Sequence, residues 1–268
     1  MDDTRRRVFC NSLGDWLDNQ VPIATFVDFL DLVRVTDRLL WLLLSKRIGA
    51  LKFRLAQALS FVQDCHDRRD LAHWIVNWLD GDHPPTNVLV GATVVDQAEA
   101  DRDIPKLLAV PAAARFLSVE PMLGPISFEG MFASAVLNDG TNVLEALDWV
   151  ICGGESGAQA RPMHPDWARS LRDQCESAGV PFLFKQWGEW AEEDTGLPQP
   201  LVAREGDPEF DAEMARHDGF ISLAGHFVLD PDQMADGVPY RGLVRPGKKG
   251  AGRLLDGIEH NGFPELLR

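Results

Sequence analysis

Six places in the chain set polar or charged side chains directly after an apolar run. They are Asn11, Ser12 and Asp15; Lys46 and Arg47; Thr93, Asp96 and Gln97; Glu120; Glu155 and Ser156; and Lys185, Gln186 and Glu189. A charge that ends a buried segment needs a partner or a ligand, because desolvating it unpaired is costly. Glu120 and Lys185 follow most directly on apolar runs and are the strongest single candidates. The stretch Gly153-Gly154-Glu155-Ser156-Gly157 is small enough to let backbone N–H groups approach an anionic ligand. It matches neither a Walker loop nor a GxGxxG fingerprint. Trp16, Trp187 and Trp190 lie near the same exits, where an indole either stacks on a flat ligand or closes a core. The candidate ligand-binding set is therefore Asn11, Asp15, Lys46, Glu120, Gly153, Gly154, Glu155, Ser156, Lys185 and Gln186. Loops are polar in any protein, so some of these residues cap helices or pair with one another. No nucleophile or acid–base constellation stands out, and no catalytic residue is assigned.

Metal chemistry finds little support. Cys10, Cys65, Cys152 and Cys175 are isolated from one another, with no zinc or iron–sulfur spacing. The seven histidines form no HExxH or similar pattern. Cys152 ends an apolar run and Cys175 lies on an apolar helix face, so both are expected to be small core residues. The expectation is that this chain alone holds no metal and no iron–sulfur cluster.

The elements that would position the polar exits are strands and helices in alternation. Apolar, β-branched runs at 7–11, 38–44, 87–95, 115–119, 149–152 and 180–187 predict six strands. The run at 38–44, RLLWLLL, is too apolar for a surface strand and is expected to be covered on both faces. Helical spacing predicts helices over 21–35, 51–62, 71–79 and 97–108. A further helix is expected from Pro165, placed where a first turn begins, to Gly179, which closes it. Residues 122–146 read as irregular with helical character. Strand, helix, strand without hairpin signals implies parallel pairing. The expected fold is α/β: a partial TIM-like (βα) barrel of about six parallel strands over residues 1–190. Residues 191–268 follow as an appendage: an acidic, weakly structured excursion (189–217), short strands over 219–244 and a basic terminal helix at 248–255 packing on the barrel. In such a fold the polar exits converge on one face.

At 268 residues with 45% hydrophobic and 25% charged residues, the chain has the composition of a soluble globular protein. No apolar run approaches the roughly 20 residues of a membrane span, and the start MDDTRRRVF lacks a signal-peptide core. No membrane association and a cytoplasmic location are expected. The net charge of −15 repels a phosphate backbone, so non-specific nucleic-acid binding is not expected.

The motifs RRVFCNSLGDW, LLLSKR, NVLVGATVVDQAEADRDIPKLL, RFLSVEPMLGPI, LDWVICGGESGAQARPMHPDWARSLRDQC, VPFLFKQWGEW and GKKGAGRLLDG carry a resemblance. Together they resemble a phage- and prophage-encoded family of unassigned function that looks like the radical S-adenosylmethionine barrel enzymes. The resemblance implies a ligand face at the strand exits and S-adenosylmethionine as a possible ligand. It also implies, in intact members, an additional N-terminal segment whose clustered cysteines hold a [4Fe–4S] cluster. Here Met1 stands just before the strand that would come second, so a cluster is expected only if such a segment exists. Three readings follow. The first is a shortened barrel that binds a small nucleoside-type ligand at the carboxyl ends of its strands. The second is a non-catalytic acidic phage protein that binds and inhibits or redirects a host protein. The third, ranked last, is a transferase that uses the same face without iron.

Overall fold

The computed structural model describes residues 5–10, 14–63, 66–131, 141–192, 201–202, 217–235 and 237–265. Six strands form one sheet: β1 (Arg6–Phe9), β2 (Leu39–Ser45), β3 (Val88–Thr93), β4 (Ala114–Val119), β5 (Trp149–Gly153) and β6 (Phe182–Gln186). They pair in chain order, and every pairing is parallel. Order without reversal is the winding of a (βα) barrel rather than of a doubly wound sheet. The sheet curls into a half-barrel, and β1 does not close onto β6. The crossovers carry α1 (Ile23–Val35), α2 (Leu51–Val62), α3 (Arg69–Asp80), α4 (Gln97–Leu108) and α5 (Pro165–Ala178). Of the stretch 122–146, expected to be irregular with helical character, the described residues hold a single 3-10 turn, Leu144–Ala146, and 132–140 lie outside them.

Both faces of this sheet are covered, which is why its strands read as unbroken apolar runs. Leu43, Val90, Leu117, Val150, Cys152 and Phe184 pack against helix residues such as Phe26, Leu30, Leu55, Ile75, Ile104 and Leu171. The alternate positions, Leu40, Leu42, Leu89, Ala114, Phe116, Trp149 and Ile151, form a separate inner cluster. Parallel partners share a face, so the inner rows can be followed across the sheet. Leu44 pairs Gly91, Gly91 pairs Phe116 and Phe116 pairs Trp149; one step on, Thr93 pairs Ser118. The inner face is therefore apolar at its base and turns polar toward the carboxyl ends of the strands.

The appendage is a second, antiparallel sheet of β7 (Ala191–Glu192), β8 (Leu201–Val202), β9 (Gly219–Ser222), β10 (Phe227–Val228) and β11 (Pro239–Val244). The remainder of the expected acidic excursion, 193–200 and 203–216, lies outside the described residues. This sheet meets α5, where Trp167 donates its indole N–H to Leu223 O at 2.8 Å and Arg169 pairs with Glu192 at 2.5 Å. The expected basic helix at 248–255 is corrected to the shorter α6 (Gly247–Ala251). Gly252 stops it with a positive-φ backbone (φ 68°, ψ −153°) that glycine tolerates and a right-handed helix cannot continue through.

The chain then returns to β6. Phe184 N–H donates to His260 O (3.0 Å) and Gly262 N–H to Phe182 O (2.8 Å), so the tail pairs the otherwise open β6 edge. Phe263 enters the inner cluster edge-on to Trp149 at 5.0 Å between ring centroids. The Trp149 indole donates to Gly262 O at 2.7 Å, and the Arg7 guanidinium covers the Phe263 ring at 3.7 Å. The tail thereby plugs the amino-terminal base of the half-barrel.

Candidate functional site

The carboxyl ends of β4, β5 and β6 bring together residues far apart in sequence. Glu120 leaves β4 just beyond Ser118, whose hydroxyl reaches Glu120 Oε2 at 3.5 Å. Lys185, near the end of β6, donates to the same oxygen at 3.1 Å. Between them lies Gly153 of β5, where a Cβ would sit 2.4 Å from Glu120 Oε1. The carboxylate can cross the strand only because that position has no side chain. Oε1 takes no hydrogen bond among the described residues. The Glu120 side chain is 17% exposed and that of Lys185 51%, so the pair stands at a solvent boundary.

Beside it a cleft of about 460 Å³ opens at the ends of β1 to β4, and Glu120 forms part of its wall. Phe9 and Leu44 give it an apolar side, and Asp15, Lys46, Arg47 and Thr93 a polar one. Asp15 is fully engaged. It accepts from Ser45 Oγ (2.7 Å), Lys46 N (3.0 Å) and Leu17 N (3.0 Å), and Arg47 reaches it at 3.4 Å. Its work is to hold the β2 exit loop, with Arg47 also pairing Asp18 at 3.3 Å. The Lys46 ammonium forms no ion pair among the described residues. Asn11 lies outside the described residues.

The glycine loop after β5 is locked to the loop after β6. Gly154 N–H donates to Gln186 O (2.9 Å), and the Gln186 amide returns to Gly154 O (3.2 Å) and Ser156 Oγ (3.1 Å). A Cβ on Gly154 would lie 1.8 Å from Trp187 O, so backbone contact dictates glycine there. Gly157 N–H is taken by Glu189 Oε1 at 3.0 Å. Two of the N–H groups considered for an anion are thus already donated within the protein. Glu155 is bound by Arg161 of its own loop, with Nε and Nη2 each at 2.8 Å and the Arg161 backbone N–H at 2.8 Å. The Arg161 guanidinium holds the Glu155 carboxyl below its ordinary value. Of the candidate charges, Glu120 and Lys185 meet, and Glu155 is held in its own loop by Arg161.

The indoles near the exits serve the core. Trp187 and Trp190 are buried and donate to Leu254 O and Ala160 O, each at 2.8 Å; Trp16 stacks between Phe26 and Trp78. Cys152 and Cys175 are buried, and burial raises both thiols, Cys175 to about 12. Among the described residues no group of three or more His, Cys, Asp or Glu is placed to hold a metal ion. No described helix is long and apolar enough to cross a membrane. Sequence reasoning missed Arg161, the partner of Glu155, and the apolar wall of Phe9 and Leu44. The wall left a trace in the parity of the strands, which puts both residues on the inner face.

Fold and site together define a partial (βα) barrel with a polar cleft at the carboxyl ends of its strands. The family model described as "Protein of unknown function (DUF5131)" matches residues 2–264, and the chain belongs to that family. Comparison with curated proteins and with solved structures gives no match.

Proposed function

We propose that this chain is a phage- or prophage-encoded, radical-SAM-like barrel that binds a small nucleoside-type ligand at the carboxyl ends of its strands. The observation that carries the reading is the 460 Å³ cleft, in the range of small-molecule sites, with Glu120 in its wall. A carboxylate with one oxygen unbonded among the described residues is suited to vicinal sugar hydroxyls or an amino group, and S-adenosylmethionine offers both. The described residues do not fit a [4Fe–4S] cluster. Three clustered thiolates are required, whereas Cys152 and Cys175 are buried core thiols and Cys10 stands apart at the β1 exit. No chemical step is assigned through such a cluster.

Titration of the protein with adenosine and with S-adenosylmethionine, followed by calorimetry and thermal melting, tests the reading. Saturation at about 100 times Kd stabilises a binding protein by roughly 2.7 kcal/mol. Glu120→Gln is expected to weaken binding about 10- to 100-fold, the range for a hydrogen bond to a charged group. No stabilisation by either compound, or full affinity in Glu120→Gln, removes the proposal. The net charge of −15 favours a second reading, an acidic surface that engages a host protein. Its signature is a complex that weakens steeply with salt while nucleosides have no effect.

A further inference from the structure

The cleft has a polarity that narrows its ligand beyond a nucleoside. Its inner end is formed by Thr93, only 6% exposed, whose hydroxyl meets no protein partner among the described residues, and by the free Oε1 of Glu120. Both groups await a hydroxyl or amino donor. On the apolar side Phe9 is 45% exposed, an aromatic ring facing the cleft beside Leu44. At the rim stands Lys46, exposed and with no carboxylate partner among the described residues. The neighbouring charges are accounted for otherwise. Arg47 is shared between Asp15 and Asp18, Asp15 takes three further donors, and Lys185 answers Glu120. Cations and carboxylates therefore balance around the cleft in a chain whose net charge is −15. It is a place where an anion meets no net repulsion and, among the described residues, an ammonium with no ion-pair partner.

We propose that the cleft takes an anionic nucleotide: base against Phe9 and Leu44, sugar hydroxyls on Thr93 and Glu120, phosphate at Lys46. This rests on the nucleoside reading and adds the anionic group to it. The physical division is plain. An aromatic ring supplies stacking area with little specificity, a carboxylate selects hydroxyls, and an ammonium at the rim selects negative charge.

Calorimetric titration with adenosine 5′-monophosphate and with adenosine, on the wild-type protein and on Lys46→Ala and Lys46→Gln, decides it. The nucleotide is expected to bind about tenfold more tightly than the nucleoside, the ratio worth 1.4 kcal/mol. That ratio should fall to about twofold in both variants, and on raising the salt to about 0.5 M, since an exposed ammonium is screened. Equal affinities in the wild type, or a ratio unchanged in both variants, overturn the nucleotide proposal and leave the nucleoside reading standing. If neither compound binds, both readings fall.

Discussion

Glu120 and Lys185 stand 65 residues apart in sequence and 3.1 Å apart in space, and Gly153 is what lets them meet. Adding one methyl there places it 2.4 Å from Glu120 Oε1. Gly153→Ala is therefore expected to displace the carboxylate and weaken ligand binding at a stability cost of no more than about 1 kcal/mol, because the flexible Glu120 side chain can swing aside and only a solvent-boundary ion pair is lost. A double-mutant cycle with Glu120→Ala checks this, because removing the carboxylate should relieve most of the cost. An additive result would show that the two positions do not interact. The candidate pair was legible in the sequence, since each charge follows an apolar strand and buried strand ends demand compensation. Glu155 satisfies the same sequence criterion, yet its carboxylate is gripped by Arg161 six residues on. Apolar patterning carries no information about how a loop folds back, so that partner was invisible. With Arg161 60% exposed the pair lies in a well-solvated place. Glu155→Gln is expected to cost no more than about 1 kcal/mol of stability.

Among the elements, the parallel strands and their helices were the readable part. A strand covered on both faces must be apolar throughout, and RLLWLLL has no other soluble solution of its length. α4 spans Gln97–Leu108 as expected, because Asp96 caps it by accepting from Glu99 N at 2.9 Å, a signal written in residue types. The tail was not readable. Leu183 forms a single antiparallel bridge with Asn261, and one Phe fills the base of the half-barrel. Neither leaves a period in the sequence, and the tail's role depends on an edge that exists only once the sheet has formed. Phe263 is 5% exposed, in contact with Trp149 and under Arg7. Phe263→Ala is expected to cost about 3–5 kcal/mol, the range for deleting a buried aromatic ring. Urea unfolding measures it, with Leu254→Ala, at an exposed position, as the control. Equal midpoints for the two variants would mean that the tail only rests on the sheet.

At the scale of the whole molecule, the second sheet and the half-barrel are joined through charges around α5. Arg169 pairs with Asp166, Glu192 and Asp256, while Arg241 of β11 reaches Asp166 at 3.2 Å and Glu192 at 3.7 Å. His164 caps the same helix from a buried position, accepting from Asp166 N–H at 3.1 Å. Burial lowers the His164 pKa to about 4; Asp166 opposes the shift, and Arg241 and Arg169 reinforce it. The imidazole is thus neutral in the folded protein and titrates near 6.5 once unfolded. A lowered histidine takes its proton more readily in the unfolded chain, so stability falls as pH drops from about 6.5 to about 4. At 1.36 kcal/mol per unit, this one group is worth on the order of 3 kcal/mol across that window. Asp166 and Asp256 are lowered by their arginines, despite burial acting the other way. Their stabilisation is present above the ordinary carboxyl range and is lost as pH falls through it, which extends the same trend into stronger acid. Urea midpoints between pH 7.5 and 4.5 should therefore fall steadily in the wild type. His164→Asn keeps a capping side chain but cannot titrate, so its midpoints should fall much less over that interval. Identical pH slopes for the two proteins would place the acid sensitivity elsewhere.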